Sequence, residues 1–164
     1  TNFTFARYMF AFIRKRFGDL PVWKIAAAQR GMTDDNLIQS TNYKYLDEKG
    51  KILDMEGFQV SLGPLALPLN LRATRDGTLV TITWDDLRDE PSAAPTDRMM
   101  VGIFYADYRN TFTLEKETGA TRRDGKCEIT LRDDDGEVCI HPFFARADNT
   151  AFSEDKAITL PDTE

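Results

Sequence analysis

Histidine and cysteine are nearly missing from this chain. Its 164 residues include one His and two Cys. Any mechanism that pairs a serine or cysteine nucleophile with a histidine base must therefore use His141. A zinc site needs four ligands, usually in close pairs, and Cys127, Cys139 and a single His do not supply them. We therefore expect no metal and no other cofactor.

Long apolar runs, internal repeats and low-complexity tracts are also absent. No apolar run approaches the roughly 20 residues needed to span a bilayer. The chain begins at Thr1, without Met and without a signal-peptide pattern. We interpret it as a trimmed or partial chain, which leaves its compartment open. The composition is that of an ordinary globular protein, with 41% hydrophobic and 29% charged residues.

Charge is unevenly distributed along the chain, which has a net charge of −6. Residues 1–50 contain eight Lys or Arg and five Asp or Glu, a balance of +3. The remaining residues therefore have a balance of −9. Nucleic acids and anionic membranes are bound by neutralising phosphate, so an acidic main domain repels both. We expect no nucleic-acid partner.

Residues 1–50 predict a helical segment of about three short helices. Apolar residues recur at steps of three and four in the first helix: Phe3, Ala6, Phe10, Ile13 and Phe17. Pro21 and Thr33 are suited to the starts of two further helices. Basic residues 14–16 end the first helix, where they complement the helix dipole. A helix that binds a membrane surface or an acidic partner is the alternative for this basic cluster.

From residue 52 the hydrophobic period changes to two. Residues 58–62 alternate as a strand does, and Val80, Ile82 and Trp84 share one face beside an Asp76-Gly77 turn. About seven short strands follow one another at spacings of 8–15 residues. This spacing is typical of an antiparallel sandwich. We predict an α+β chain, with residues 1–50 helical and residues 51–164 forming a β-sandwich.

The order of the strand segments resembles the fibronectin type III fold. The segments at Pro68 to Leu71, at Trp84, and at 99–105, 127–131, 137–147 and 158–160 are similar to its strands A, B, C, E, F and G. Trp84 is the most specific element of the likeness. Val138 stands where a tyrosine usually precedes strand F. The resemblance implies an immunoglobulin/fibronectin-III-like sandwich, a fold that usually serves as a scaffold or adhesion unit.

A second resemblance extends over almost the whole chain. The segments GMTDDNLIQSTNYKYL, FQVSLGPL, PTDRMMVGIFY and GATRRDGKCEITL are similar, in order and spacing, to an uncharacterised family of Bacteroides-type gut bacteria. The family is known only as a domain of unknown function. The resemblance implies a further N-terminal stretch, but it implies no activity, cofactor or catalytic residue.

Strand phase decides what the cysteines and the histidine can do. Cys127 is in phase with the core residues of its strand, whereas Cys139 is out of phase with Val138 and Ile140. Side chains on opposite faces cannot form a disulfide, so we predict two free thiols, which favour a reducing compartment. Cys139 and His141 share a face about 7 Å apart in a strand, which is too far for a direct hydrogen bond unless the two side chains lean together. We interpret that face as a partly exposed strand surface.

Carboxylates are plentiful, but none forms a specific pattern. Residues 133–137, DDDGE, predict a solvated turn with Gly136 at positive φ, and a calcium loop is the alternative. Asp34 and Asp35 occupy a first helical turn, where negative charge is common. Nothing in the sequence pairs acids such as Asp85, Asp86 and Asp89 across a cleft, as glycoside hydrolysis requires.

Tyr105 and Tyr108 form the one tentative binding surface, as exposed aromatics that could stack on a sugar or a protein. Cross-strand packing is the alternative interpretation of both rings. We interpret the chain as a non-enzymatic protein-binding or structural module whose partner is another protein or a second copy. The alternatives are a carbohydrate-binding module that uses Tyr105, Tyr108 and the polar loop of residues 85–97, and an enzyme with paired carboxylates. We expect the helices either to cover the sandwich or to form a dimer interface.

Overall fold

The computed structural model describes residues 2–106, 112–132 and 136–162. Three helices come first, α1 (Asn2–Phe17), α2 (Val22–Gln29) and α3 (Asp34–Asn42), and a 3-10 turn (Tyr43–Tyr45) follows. The Thr33 hydroxyl accepts a hydrogen bond from the Asn36 amide at 3.2 Å and so caps α3. The predicted three helices are confirmed. None of these helices is both long enough and apolar enough to cross a membrane.

Seven strands follow within the described residues: β1 (Arg72–Asp76), β2 (Leu79–Thr83), β3 (Arg98–Tyr105), β4 (Phe112–Glu115), β5 (Lys126–Thr130), β6 (Val138–Ala145) and β7 (Ile158–Leu160). They form two antiparallel sheets, in the orders β1-β2-β5 and β4-β3-β6-β7. The first hairpin turns at Gly77-Thr78, one residue beyond the predicted Asp76-Gly77, and Gly77 adopts a φ of 62° there.

The two sheets pack face to face as an antiparallel sandwich of the immunoglobulin/fibronectin-III-like type. Strands β1, β2, β3, β5, β6 and β7 take the places of A, B, C, E, F and G, and β4 lies beside β3. Val80, Ile82 and Trp84 are buried between the sheets, as the alternation predicted. The Trp84 indole donates to the carbonyl of Arg122 at 2.8 Å and meets the Phe144 ring edge-on at 5.7 Å.

The helices cover the outer face of the four-stranded sheet and make a second core. Phe10, Ile13 and Phe17 of α1 are buried in one cluster with three aromatics of that sheet: Phe104, Phe112 and Phe143. Fully burying one such side chain contributes about 1.5–3 kcal/mol. Of the two arrangements expected for the helices, the structure has the covering one. The molecule thus has three layers, two sheets and one layer of helices.

Strand β6 lies in the middle layer, and all eight of its residues are buried. The prediction of a partly exposed strand surface at Cys139 and His141 is therefore wrong, since both residues are 0% exposed. The helical layer and residues 52–62 cover that face. The prediction of two free thiols is confirmed. Cys127 lies in the core between the sheets, and Cys139 lies in the core beneath the helices.

Residues 58–62 are extended but do not pair as a strand, so that prediction is wrong. Their backbone groups bind side chains instead. The Asn42 amide donates to the Gln59 carbonyl at 2.9 Å and accepts from the Gln59 N–H at 2.7 Å. The Trp23 indole donates to the Val60 carbonyl at 3.1 Å. One side of the segment packs against the core. Side chains bind the backbone N–H and C=O groups that would otherwise pair with a neighbouring strand.

Candidate functional site

Tyr105 does not form the exposed binding surface that the sequence suggested. Its side chain is buried in the core between the sheets, with 3% exposed. Its hydroxyl accepts a hydrogen bond from the Arg132 amide at 2.9 Å, and the Arg132 guanidinium lies 4.8 Å from the ring centre. The expectation of an exposed ring at Tyr105 is thus wrong. Tyr108 lies outside the described residues.

The structure joins His141, Asp155 and Cys139 into one buried cluster. The Nδ1 atom of His141 lies 2.6 Å from the Asp155 carboxylate, and its Nε2 atom lies 2.8 Å from the Met55 carbonyl oxygen. The Cys139 sulfur is 3.5 Å from Nε2. The two side chains lean together on the covered face, which is the one arrangement in which contact was expected. Asp155 comes from the chain before β7, 14 residues beyond the histidine.

The hydrogen bonds of His141 indicate that its imidazole is charged. The Met55 carbonyl can only accept, so Nε2 carries a proton, and Nδ1 faces a carboxylate. Burial opposes the charged form, but the hydrogen bonds to Asp155 and Cys139 and the charge on Asp155 outweigh it and raise the pKa of His141 to about 9. His141 and Asp155 therefore form a buried ion pair at neutral pH.

The cluster has the residue types of a nucleophilic triad, but it is closed and its base is occupied. Nε2 would have to accept a proton from the thiol, yet it already donates to Met55. A cavity of about 460 Å³ lies nearby, lined by Met55, Glu137 and Thr159 among others, and neither Cys139 nor His141 reaches its wall. The carboxylate of Asp155 also accepts from the Val60 and Ser61 amides at 3.2 and 3.4 Å. The hydrogen bonds of the cluster thus hold residues 55–61 against the sandwich.

A second buried charge cluster is centred on Arg122, in the 3-10 turn Arg122–Asp124 before β5. Its guanidinium is 0% exposed and donates to Asp86 at 2.7 Å and to Asp97 at 2.9 Å. The same group lies 4.2 Å from the centre of the Phe144 ring. Two adjacent arginines in a turn give no signal that one of them is buried. The contacts that bury it are purely tertiary, since Asp86 lies 36 residues away.

This cluster anchors the loop between β2 and β3, residues 84–97. Burial raises the pKa of Asp86, but hydrogen bonds from Arg88 and Arg122 outweigh it and lower that pKa to about 2. The Arg88 guanidinium donates two hydrogen bonds of 2.8 Å to the Asp86 carboxylate and one of 2.9 Å to the Leu67 carbonyl. Asp97, at the far end of the loop, accepts from the Ala94 amide at 3.0 Å. The loop is therefore held at both ends by buried ionic contacts.

Leu87 projects from this anchored loop between Asp86 and Arg88. It is 97% exposed, the highest value among the large hydrophobic side chains that the structure describes. Asp85, Asp89 and Glu90 are exposed around it. Asp85 is paired with Arg72 at 3.3 Å, and Glu90 lies 4.0 Å from Arg88, so the loop presents one apolar side chain among charges of both signs. None of the sequence patterns distinguished Leu87, because exposure of a loop residue has no periodic signature.

Another surface with an exposed apolar side chain lies on the helical layer. Tyr8 is 71% exposed, and a groove of about 520 Å³ separates it from α3. The walls of the groove come from both helices: Arg7, Tyr8, Ala11, Arg14, Asn36 and Gln39. Arg14 forms an ion pair with Asp35 at the edge of the groove. The surface combines aromatic, small and basic side chains.

The candidate acidic sites are not assembled among the described residues. Within residues 2–106, 112–132 and 136–162, no three His, Cys, Asp or Glu side chains are grouped as a metal site requires. Asp133, Asp134 and Asp135 of the calcium alternative lie outside these ranges, and Gly136 has the expected positive φ, 84°. Two carboxylates that do come together, Asp86 and Asp97, share the buried Arg122 and face no cleft.

Comparison with known proteins yields no family. No family model matches the chain, and no curated protein matches it. Among solved structures, one titled as a myokine structure is 18% identical, with a TM-score of 0.43, covering 61% of this chain and 99% of its own. The FN1–FN3 domains of chicken CNTN1 are 6% identical, with a TM-score of 0.44, covering 63% of this chain and 34% of theirs. The fold assignment rests on strand order and packing, and the resemblance to a Bacteroides-type family stays a prediction.

Proposed function

We propose that this chain is a non-enzymatic protein-binding module and that the anchored loop around Leu87 contacts its partner. The observation that carries the proposal is the near-complete exposure of Leu87, at 97%, on a loop whose neighbours are fixed. Single exposed leucines are ordinary on protein surfaces. What distinguishes Leu87 is that Asp86 and Arg88, on either side of it, are locked into ion pairs.

A fixed loop lowers the cost of binding. Ordering a mobile side chain or loop at an interface costs about 0.5–1.5 kcal/mol per immobilised side chain. Since Arg88 is bonded to both Asp86 and the Leu67 carbonyl, most of that ordering is already present in the free chain. A leucine presented in this way supplies apolar area to a pocket of the partner.

The alternatives have less support. The carbohydrate alternative used Tyr105, Tyr108 and the loop of residues 85–97, and of these Tyr105 is buried. An enzyme would need an accessible reacting group, and the His141 cluster is closed and structural. The resemblance to an uncharacterised Bacteroides-type family, retained as part of the proposal, brings no activity that would change this choice.

The test compares Leu87→Ser with Leu53→Ser, a matched change at another exposed leucine (65%). The wild-type chain and both variants are immobilised and exposed to a lysate of the organism that produces the chain, and captured proteins are quantified by mass spectrometry. We expect a partner that wild type and Leu53→Ser retain and Leu87→Ser loses by at least about tenfold, a difference of roughly 1.4 kcal/mol. Capture that is equal for the two variants would overturn the assignment to this loop. Added soluble oligosaccharide that releases the partner would instead support the carbohydrate alternative.

A further inference from the structure

The cavity of about 460 Å³ ends one residue short of the buried thiol–imidazole pair. Two of the residues that line it, Leu53 and Asp54, are exposed, so water and small solutes enter it. Two others, Met55 and Thr159, lie on the side that faces strand β6. A cavity of this size lies within the range that holds small ligands.

Met55 and Thr159 also contact the pair from the other side. The Met55 carbonyl accepts the hydrogen bond of His141 Nε2 at 2.8 Å. The Thr159 hydroxyl lies 3.8 Å from the Cys139 sulfur. Each residue therefore forms a wall one residue thick between the cavity and the pair, and in the closed structure the thiol is 0% exposed.

The segment that carries Met55 is held mainly by side chains. Residues 58–62 do not pair as a strand, and their backbone groups bind Asn42, Trp23 and Asp155. Segments without ladder hydrogen bonds open locally at a lower free energy than the paired strands of a core. Local opening at Met55 is therefore easier than unfolding of either sheet.

Opening at Met55 changes the hydrogen bonds of the pair. Once the Met55 carbonyl leaves, the Nε2–H group of His141 has the Cys139 sulfur, 3.5 Å away, as its remaining acceptor. A hydrogen bond from an imidazolium supports a thiolate, which is the form of cysteine that reacts with peroxides and alkylating agents. The contact that closes the cluster thus also keeps its sulfur unreactive.

We propose that Cys139 is a gated modification site, at which a hydroperoxide that enters the cavity oxidises the thiol when Met55 moves aside. The sulfur attacks one oxygen of hydrogen peroxide and the O–O bond breaks. The thiol becomes a sulfenic acid, and the leaving hydroxide takes the thiol proton to form water. This site is separate from the Leu87 loop and does not depend on a partner protein.

The first experiment compares the two thiols of the folded wild-type chain. Iodoacetamide is added, samples are digested with trypsin, and the peptides 127–132 and 133–146 report on Cys127 and Cys139 separately. Each rate is divided by the rate of the same thiol in the urea-unfolded chain. Cys127 lies on a paired strand between the sheets, so we expect Cys139 to react at least about tenfold faster.

The second experiment tests the gate. Met55→Ala removes a partly buried side chain from the wall, and we expect the rate at Cys139 to rise at least about fivefold. The matched control is Leu53→Ala, an exposed residue of the same cavity, which should leave the rate unchanged. The rate at Cys127 reports any global loss of stability. Thr159→Ala, which thins the other wall, replaces Met55→Ala if that variant fails to fold.

The third experiment tests the chemistry. The folded wild-type chain is treated with hydrogen peroxide in the presence of dimedone, which captures sulfenic acids. We expect the dimedone adduct on the peptide 133–146 and none on the peptide 127–132 in the same time.

Three outcomes overturn the inference. Equal normalised rates at the two thiols would show that Cys139 reacts only after global unfolding. Equal effects of Met55→Ala and Leu53→Ala would show that Met55 is not the gate. A Cys139 that iodoacetamide labels but that forms no dimedone adduct would show that no peroxide reaction occurs there.

Discussion

The Nδ1 atom of His141 lies 2.6 Å from the carboxylate of Asp155, and the two side chains are 0% and 4% exposed. The pair joins strand β6 to the chain before β7. Through Met55 and Ser61 it also holds the segment that connects the helical layer to the sandwich. An ion pair in this position makes the stability of the whole chain sensitive to the charge on one imidazole.

The first prediction concerns alkaline pH. The pKa of His141 is raised from 6.5 to about 9 in the folded chain, so the folded state holds this proton more tightly than the unfolded state. The resulting stability is fully present below about pH 6.5 and is lost as the pH rises through about 9. We expect the free energy of unfolding to fall across this range by about 1–3 kcal/mol. Urea titrations at stepped pH, followed by tryptophan fluorescence, measure it.

The matched variant for that experiment is His141→Asn, which removes the titrating group. Its unfolding free energy should be lower at pH 6 and should change far less between pH 6.5 and 9. A wild-type profile that is flat over this range would show that the imidazole is neutral in the folded chain.

The second prediction concerns the other member of the pair. Asp155→Asn keeps the size of the side chain but leaves His141 without a counter-charge and weakens the bonds to the Val60 and Ser61 amides. Breaking a buried pair by removing one partner costs about 3–5 kcal/mol. We expect a loss of this order at pH 7 in urea unfolding. The control is Asp162→Asn, an exposed acid, which should change stability by no more than about 0.5 kcal/mol. Equal effects of the two substitutions would contradict the assignment.

The third prediction uses two adjacent arginines. Arg122→Ala leaves Asp86 and Asp97 as buried charges without their shared partner, whereas Arg123→Ala removes an exposed side chain. We expect a loss of about 3–5 kcal/mol for the first and about 0.5 kcal/mol or less for the second. Thermal and urea unfolding of both variants provide the comparison, and similar melting temperatures would refute it.

The same cluster predicts acid sensitivity. The pKa of Asp86 is lowered from 3.8 to about 2, so its contribution to stability is present above about pH 4 and is lost as the pH falls through 2. Wild type should therefore lose stability between pH 4 and 2. Arg122→Ala should show a shallower loss there, because one of the two arginines that hold the Asp86 charge is gone.

The fourth prediction tests whether the helices and the sandwich unfold together. Phe10 is 2% exposed in the core beneath α1, and Phe5 on the same helix is 48% exposed. We expect Phe10→Ala to cost about 3–5 kcal/mol and Phe5→Ala considerably less. Both variants should unfold in a single transition by circular dichroism and fluorescence. If Phe10→Ala instead loses helix signal while the fluorescence of Trp84, followed in a Trp23→Phe background, persists, the helical layer is a separate unit.

Local patterns predicted most of the fold correctly. Val80, Ile82 and Trp84 were assigned to the core because alternation along a strand is a property of neighbouring residues. The same phase places Tyr105 on one face with Val101 and Ile103, and its ring packs with them between the sheets. Residues 58–62 alternate in sequence but form no strand, and Val60 and Ser61 are both buried, so the alternation did not predict which of their side chains are covered. A period-two sequence pattern does not show which groups bind the backbone N–H and C=O groups of a segment.

The buried charges were not predictable from the chain. Cys139 and His141 were assigned to the correct face of β6, but the burial of that face depends on helices more than a hundred residues earlier. Arg122 lies in a polar turn, and its carboxylate partners are 25 and 36 residues away. Burial of a polar group depends on what distant segments place around it, and a single sequence does not display those contacts.

By itself, the sequence determined three helices, the sandwich strands with their phase, and two cysteines that cannot pair, because each of these follows from local periodicity and turn chemistry. Only the tertiary structure decided that helices cover the four-stranded sheet, that His141 and Arg122 are enclosed ions, and that Leu87 stands exposed. Each of these depends on the packing of segments distant in the chain, where burial and the pairing of charges are decided together.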